Sequence, residues 1–176
     1  AGDGSGQIQT LELVFKDVSV ALDSAAIKAI ASEDPEADVL ILAAEADRSA
    51  LNSAQADLAG DRPVYEIGIF LGDRELASFG GGALTVTIPY TLRPGEDPDH
   101  LVVWHLGEDG SLEAIHATYV DEQVRFTVNH LSKFAVVHFP FEDVAPDKWY
   151  YVHAAYAFMN GIMNGMGGGR FDPEGT

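Results

Sequence analysis

There is no cysteine among the 176 residues, which removes disulfides, thiolate nucleophiles and cysteine-ligated zinc or iron–sulfur centres by inventory. Stability must therefore come from packing. Basic side chains are scarce, with 10 Lys and Arg against 28 Asp and Glu and a formal charge of −18. A surface of that sign repels phosphate backbones and anionic headgroups, so nucleic acid is not an expected partner. No apolar run approaches the roughly 20 residues that span a bilayer, and no membrane insertion is expected. The chain opens at Ala1 without a Met or a basic-then-apolar leader, and closes on Asp172-Pro173-Glu174-Gly175-Thr176 without a helix stop. It reads as a mature or excised segment.

What is present argues for a folded chain. Hydrophobic residues make up 47% and charged residues 22%, a globular balance, and the length allows one domain with a small appendage. Residues 1–7 are a Gly-, Ser- and Asp-rich lead-in expected to be flexible. From Ile8 the apolar residues alternate: Ile8 to Phe15 and Val18 to Leu22 read as strands, and Asp23 or Ser24 can cap a short helix carrying Ala25, Ile27 and Ile30. Val39 to Ala44 reads as a buried strand and Asn52 to Ala59 as a turn of helix. Gly72-Asp73 suits a type II′ hairpin between Val64 to Leu71 and Arg74 to Phe79.

Further strands are expected at Leu84 to Ile88, Leu101 to Leu106, Leu112 to Thr118, Val124 to Val128 and Phe134 to Phe139. Their 8- to 12-residue spacing predicts a mainly β fold, a β-sandwich with short helices over residues 8–139. Composition shifts after Pro140, and residues 140–176 carry helix signals. Pro146 and Asp147 can start a helix with Trp149, Val152, Tyr156 and Met159 on one apolar face, ended by Asn160-Gly161.

This last stretch resembles a known family. Phe141-Glu142-Asp143-Val144, then Trp149, Ala154, Tyr156, Gly161-Ile162-Met163, Gly165, Gly169 and Phe171-Asp172-Pro173 are similar to the opening of an S-layer homology (SLH) repeat. The resemblance implies an exported bacterial protein held at the cell wall or S-layer, whose complete SLH region binds a pyruvylated secondary cell-wall polysaccharide. Asp143 can accept backbone N–H bonds ahead of the helix, the glycines permit positive φ, and Phe171 with Pro173 can fold the connector over the apolar face. The family's basic T-R pair should fall just past Thr176. Without it, Lys148 and Arg170 face Glu142, Asp143, Asp147, Asp172 and Glu174, so weak glycan binding is expected. Trp149, Tyr150 and Tyr151 could stack on sugar rings, but a core role is favoured.

The preceding segment has a looser likeness. Phe79-Gly80-Gly81, Thr87-Ile88-Pro89-Tyr90, the Asp109-Gly110 turn and Phe126 to Phe134 resemble a β-domain common ahead of SLH repeats in surface proteins of Gram-positive bacteria. That implies a non-catalytic spacer. Two alternatives stand beside it. His130-Leu131-Ser132 resembles the H-F-S motif of ZU5-type domains, some of which cut their own backbone, here between Leu131 and Ser132 with Ser132 as nucleophile and His130 moving the proton. The bland alternative has both satisfying backbone groups at a strand start. The other is a carbohydrate-binding accessory module using exposed aromatics such as Trp104.

Metal and acid–base chemistry find little support in spacing. If Leu106 pairs with Ser111, His105 opposes Leu112 and lies four residues along the ladder from His116, too far to share an ion. No H-x-x-x-H or H-E-x-x-H occurs, so no zinc site is expected, and no cofactor is assigned. The carboxylates could hold Ca²⁺, but no EF-hand loop is present. Asp97 with Asp99 and Asp34 with Glu36 read as turn residues, and the run from Gly165 to Gly169 as a flexible connector without the Lys-Ser/Thr of a phosphate loop.

Overall fold

The structure is a computed structural model in which residues 10–145, 148–159 and 162–175 are described. The expected lead-in over residues 1–7, and with it Ile8, Pro146, Asp147, Asn160 and Gly161, lies outside the described residues. In chain order the first elements are β1 (Thr10–Val14), β2 (Ser19–Asp23), α1 (Ser24–Glu33), β3 (Val39–Glu45), α2 (Ser53–Ala59), β4 (Val64–Leu71) and β5 (Arg74–Glu75). They are followed by β6 (Leu84–Pro89), β7 (Leu101–Leu106), β8 (Leu112–Ile115), β9 (Ala117–Val120), β10 (Gln123–Val128), β11 (Ser132–His138) and α3 (Tyr151–Met159).

The fold is mainly β, as the strand spacing predicts. Two antiparallel sheets form, one ordered β1-β2-β6-β10-β9 and the other β3-β4-β11-β7-β8, with β5 added to β4. Strand chemistry separates the two. In β10, Val124, Phe126 and Val128 are buried while Gln123, Arg125 and Thr127 are exposed, the alternation of a sheet with one face in water. In β7, Val103 and Trp104 are adjacent and both fully buried, so the centre of this sheet is covered on both faces, and β7 and β11 carry near-continuous buried apolar runs. Between the sheets, Val20, Val86 and Phe126 meet Ile67, Val103 and Phe134. On the outer face of the second sheet, Val102, Trp104, Leu106, Ala135 and Val137 pack against α2 and the segment from Phe139 to Phe171.

Three strand expectations are corrected. Leu112 to Thr118 is not one strand: β8 pairs with β7 in the second sheet and β9 with β10 in the first, so the chain changes sheets at His116. Such a corner keeps the alternation intact, which is why the sequence conceals it. Val39 to Ala44 is an edge strand rather than a buried one, because β3 pairs with β4 alone and leaves Val39 and Leu40 more than half exposed. The strand after Gly72-Asp73 ends at Glu75, with only an isolated bridge between Ser78 and His130 beyond it.

Turns and caps follow local chemistry. Gly72 has φ +58° while Asp73 stays out of the left-handed region, as a type II′ turn requires. Asp121 and Glu122 both take positive φ, 53° and 58°, forming the β9–β10 turn without a glycine. Asp23 caps α1 by accepting from the Ala26 amide (2.7 Å), and its other oxygen accepts from the Ala83 amide (3.1 Å). The chain before β6 thus runs against the start of α1, and a Cβ on Gly82 would overlap the Ala26 backbone. In α2, Asn52 and Gln55 form a reciprocal capping box, and the Gln55 amide donates to the Gly107 carbonyl (2.8 Å).

One ionic pin joins the sheets' connecting loops. Glu96 is bonded by the Arg62 guanidinium, by the Tyr90 hydroxyl (2.8 Å) and by the Arg93 amide (3.0 Å). Burial alone would raise the Glu96 pKa, but the Arg93 amide, Arg62 and Tyr90 together hold it below its ordinary value. A depressed folded pKa stabilises the protein above the unfolded value and loses that contribution as pH falls through the folded one. Glu96→Gln should therefore cost about 1–3 kcal/mol at pH 7, and denaturant titrations should show the gap to wild type narrowing on acidification. Gly82→Ala should destabilise by about 1–3 kcal/mol through the forced backbone shift, read as a thermal midpoint several degrees lower.

Candidate functional site

Two places concentrate the sequence-predicted residues. The first is the C-terminal unit bearing the SLH-like motif. Asp143 accepts the Phe171 amide on Oδ1 and the Asp172 amide on Oδ2, both at 2.8 Å, with Arg170 Nε 3.8 Å away. Among the described residues both amides come from the far end of the unit, so Asp143 closes a loop. Burial pushes its pKa up, but the two amides and Arg170 outweigh that and hold it low. The closure places Phe171 edge-on to Phe141 with ring centroids 5.2 Å apart. Gly165 lies beneath them at φ +69°, where a Cβ would overlap the Phe141 ring and the Arg170 carbonyl. Val144 is buried in the same cluster and Pro173 is half-buried, while Gly161 lies outside the described residues.

The helix presents a different face from the expected one. Tyr151, Ala154 and Ala155 are buried and Phe158 packs beside them, a 151/154/155/158 stripe. Trp149 is 83% exposed and precedes the first residue of α3, with Tyr150 and His153 edge-on beside it. Tyr156 is also on the exposed side, and the side chains of Val152 and Met159 lie outside the described ones. Burial pushes the Tyr151 hydroxyl up to about 12, fitting a core residue. Trp104, named above as an exposed aromatic, is instead fully buried on the outer face of the second sheet and offers nothing to a glycan.

The second place is the end of the sandwich where the chain crosses from β10 to β11. His130 sits on that crossover, and its ring lies edge-on to His105 of β7 at a centroid distance of 4.3 Å. The true β7–β8 register pairs Leu106 with Leu112, one residue from the expected Leu106–Ser111 pairing, because the turn spends Gly107 to Ser111. That shift sets His105 opposite Glu113 instead of Leu112, with Nδ1 to Oε2 at 3.8 Å. One ring nitrogen of each histidine and one Glu113 oxygen lie within 4.8 Å of one another. This is the sole convergent group of three or more His, Asp or Glu ligands among the described residues; His116 and the Asp34, Asp97 and Asp99 carboxylates are not in it.

Electrostatics there favour a neutral His105 ring. Burial first, then the adjacent His130, draw the His105 pKa below its ordinary value against the pull of Glu113 and Asp109. His130 Nδ1 lies 3.0 Å from Asn129 Oδ1, an oxygen that accepts from the ring in the Nδ1–H tautomer. His105 Nδ1 and His130 Nε2 are buried with no hydrogen-bond partner. Ser132, the third residue of the H-L-S segment, donates its hydroxyl to the Leu106 carbonyl (3.0 Å). Asp34 and Asp97 accept the amides of Glu36 and Asp99, as turn residues do.

No helix among the described residues is long and apolar enough to cross a membrane. No protein-family model, no curated protein and no solved structure matches the chain. Asp143→Asn keeps one acceptor and replaces the other with a donor facing an N–H. Hydrogen exchange at the Phe171 and Asp172 amides should accelerate at least about tenfold, equivalent to roughly 1.4 kcal/mol of lost protection, with the β7 and β11 amides unchanged.

Proposed function

We propose that the chain is a non-catalytic spacer module of an exported bacterial cell-surface protein, leading into an SLH region that holds the parent protein to secondary cell-wall polysaccharide. The observation that carries this reading is the Asp143 closure. The F-x-D-V aspartate binds the backbone beside the F-x-P phenylalanine, so the residues that bear the resemblance act on one another in space. The sandwich supports it by what it offers a spacer: apolar packing with no need of disulfides, and an acidic surface that stays hydrated outside the cell.

A carbohydrate-contacting role finds a separate foothold. Trp149 is exposed, with exposed His153 and half-buried Tyr150 edge-on beside it, a surface on which a sugar ring can stack. Nearby Lys148 supplies only one positive charge, which fits weak binding by this chain alone.

Antibody raised against the purified chain should label intact, unpermeabilised cells of the source organism. The label should leave the cells when wall polysaccharide is stripped with hydrofluoric acid. Labelling that appears only after permeabilisation, or that survives removal of the polysaccharide, would overturn the anchoring reading.

A further inference from the structure

We propose that His105, Glu113 and His130 form a site for a divalent transition-metal ion, best fitted to Zn²⁺, which fastens the β10–β11 crossover to the β7–β8 hairpin. The donors are two imidazoles and a carboxylate, the set that zinc accepts while keeping a fourth position for water. Calcium prefers an all-oxygen shell and is poorly matched by two ring nitrogens.

Three elements converge to make the cluster. His105 and Glu113 are directly opposed across the β7–β8 ladder, so strand register fixes that pair. His130 arrives from the other sheet, held by its bridge to Ser78 and by its edge-on contact with His105. A tetrahedral ion with bonds of about 2.0–2.2 Å keeps its ligand atoms roughly 3.3–3.5 Å apart. The observed donors, none more than 4.8 Å from another, need close by at most about 1.5 Å, and the mostly exposed Glu113 side chain is free to swing.

Two features point to a ligand rather than to a packed histidine pair. Buried polar atoms in native proteins are almost always satisfied, yet His105 Nδ1 and His130 Nε2 have no hydrogen-bond partner. Asn129 also contacts the His130 ring at Nδ1 on the side away from the cluster, the kind of outer contact that orients metal-bound histidines. His105 and His130 border a groove of about 470 Å³ lined also by Asp109, Ser111 and Lys133, which gives an ion and its water a route in. None of this depends on wall anchoring, and either idea can fail alone.

The test uses the whole chain stripped with EDTA and titrated with Zn²⁺ by calorimetry, and with Co²⁺ by visible absorption. One equivalent of Zn²⁺ should bind, the Co²⁺ form should show the intense bands of four-coordination, and the thermal midpoint should rise to a plateau at that stoichiometry. His105→Gln, His130→Gln and Glu113→Gln should each weaken binding by ~100-fold or more, and Asn129→Ala, a positioning change, by ~10-fold. His153→Gln should bind as wild type. NMR of the unsubstituted protein guards against variants that misfold: the His105 and His130 ring resonances should shift with Zn²⁺ and those of His153 should not. Absence of a stoichiometric event, or shifts confined to surface carboxylates, would overturn the site.

Discussion

The centre of the second sheet, β7 and β11, is apolar on both faces, and most of the structure answers to that. A buried Leu- or Trp-sized side chain contributes about 1.5–3 kcal/mol relative to its exposed state. Leaving the outward row of Val102, Trp104, Leu106, Ala135 and Val137 in water would thus cost an amount comparable to the whole net stability of a domain, about 5–15 kcal/mol. The first sheet covers the inner face. The outer face is covered by α2 and by the residues from Phe139 to Phe171. Packing therefore continues without a break across Pro140, and the aromatic group of Phe139, Phe141, Tyr151 and Phe158 forms the joint.

How much of this the sequence discloses depends on whether the signal is local. β10 is legible because Val124, Phe126 and Val128 alternate with polar residues, and α1 because Asp23 stands where a cap should. The edge position of β3 is not legible, since Val39 to Ala44 is as apolar as β7 and only the pairing order shows which is covered. The sheet change at His116 hides for a related reason: alternation continues through a corner, and nothing in Leu112 to Thr118 marks the bend.

The two sites differ in the same way. The SLH-like motif is a linear pattern, so its residues can be named beforehand, yet their partners cannot: Asp143 could equally have bonded the helix start, and the choice of Phe171 and Asp172 depends on how the connector folds back. Trp149 illustrates the limit, since the same helical spacing supports two faces and packing selects the one carrying Ala154 and Ala155. The histidine cluster has no sequence spacing at all. Its members are 8 and 17 residues apart, joined by a hairpin register and a crossover, and an error of one residue in the β7–β8 pairing is enough to separate His105 from Glu113. The Gly107 to Ser111 turn, with Gly110 at φ +86°, was the one available clue to that register.

The position of β11 has a mechanical meaning. It is the last strand among the described residues and lies between β4 and β7, antiparallel to both. Tension arriving from beyond Phe139 would enter along its axis, so the hydrogen bonds to both neighbours are sheared together instead of being peeled singly. A chain that hangs from its C-terminal side by a central strand resists extension far better than one hung from an edge, and β1, at the opposite end of the sequence, is an edge strand. Under pull, the fold should yield first at its N-terminal margin and last at this central strand.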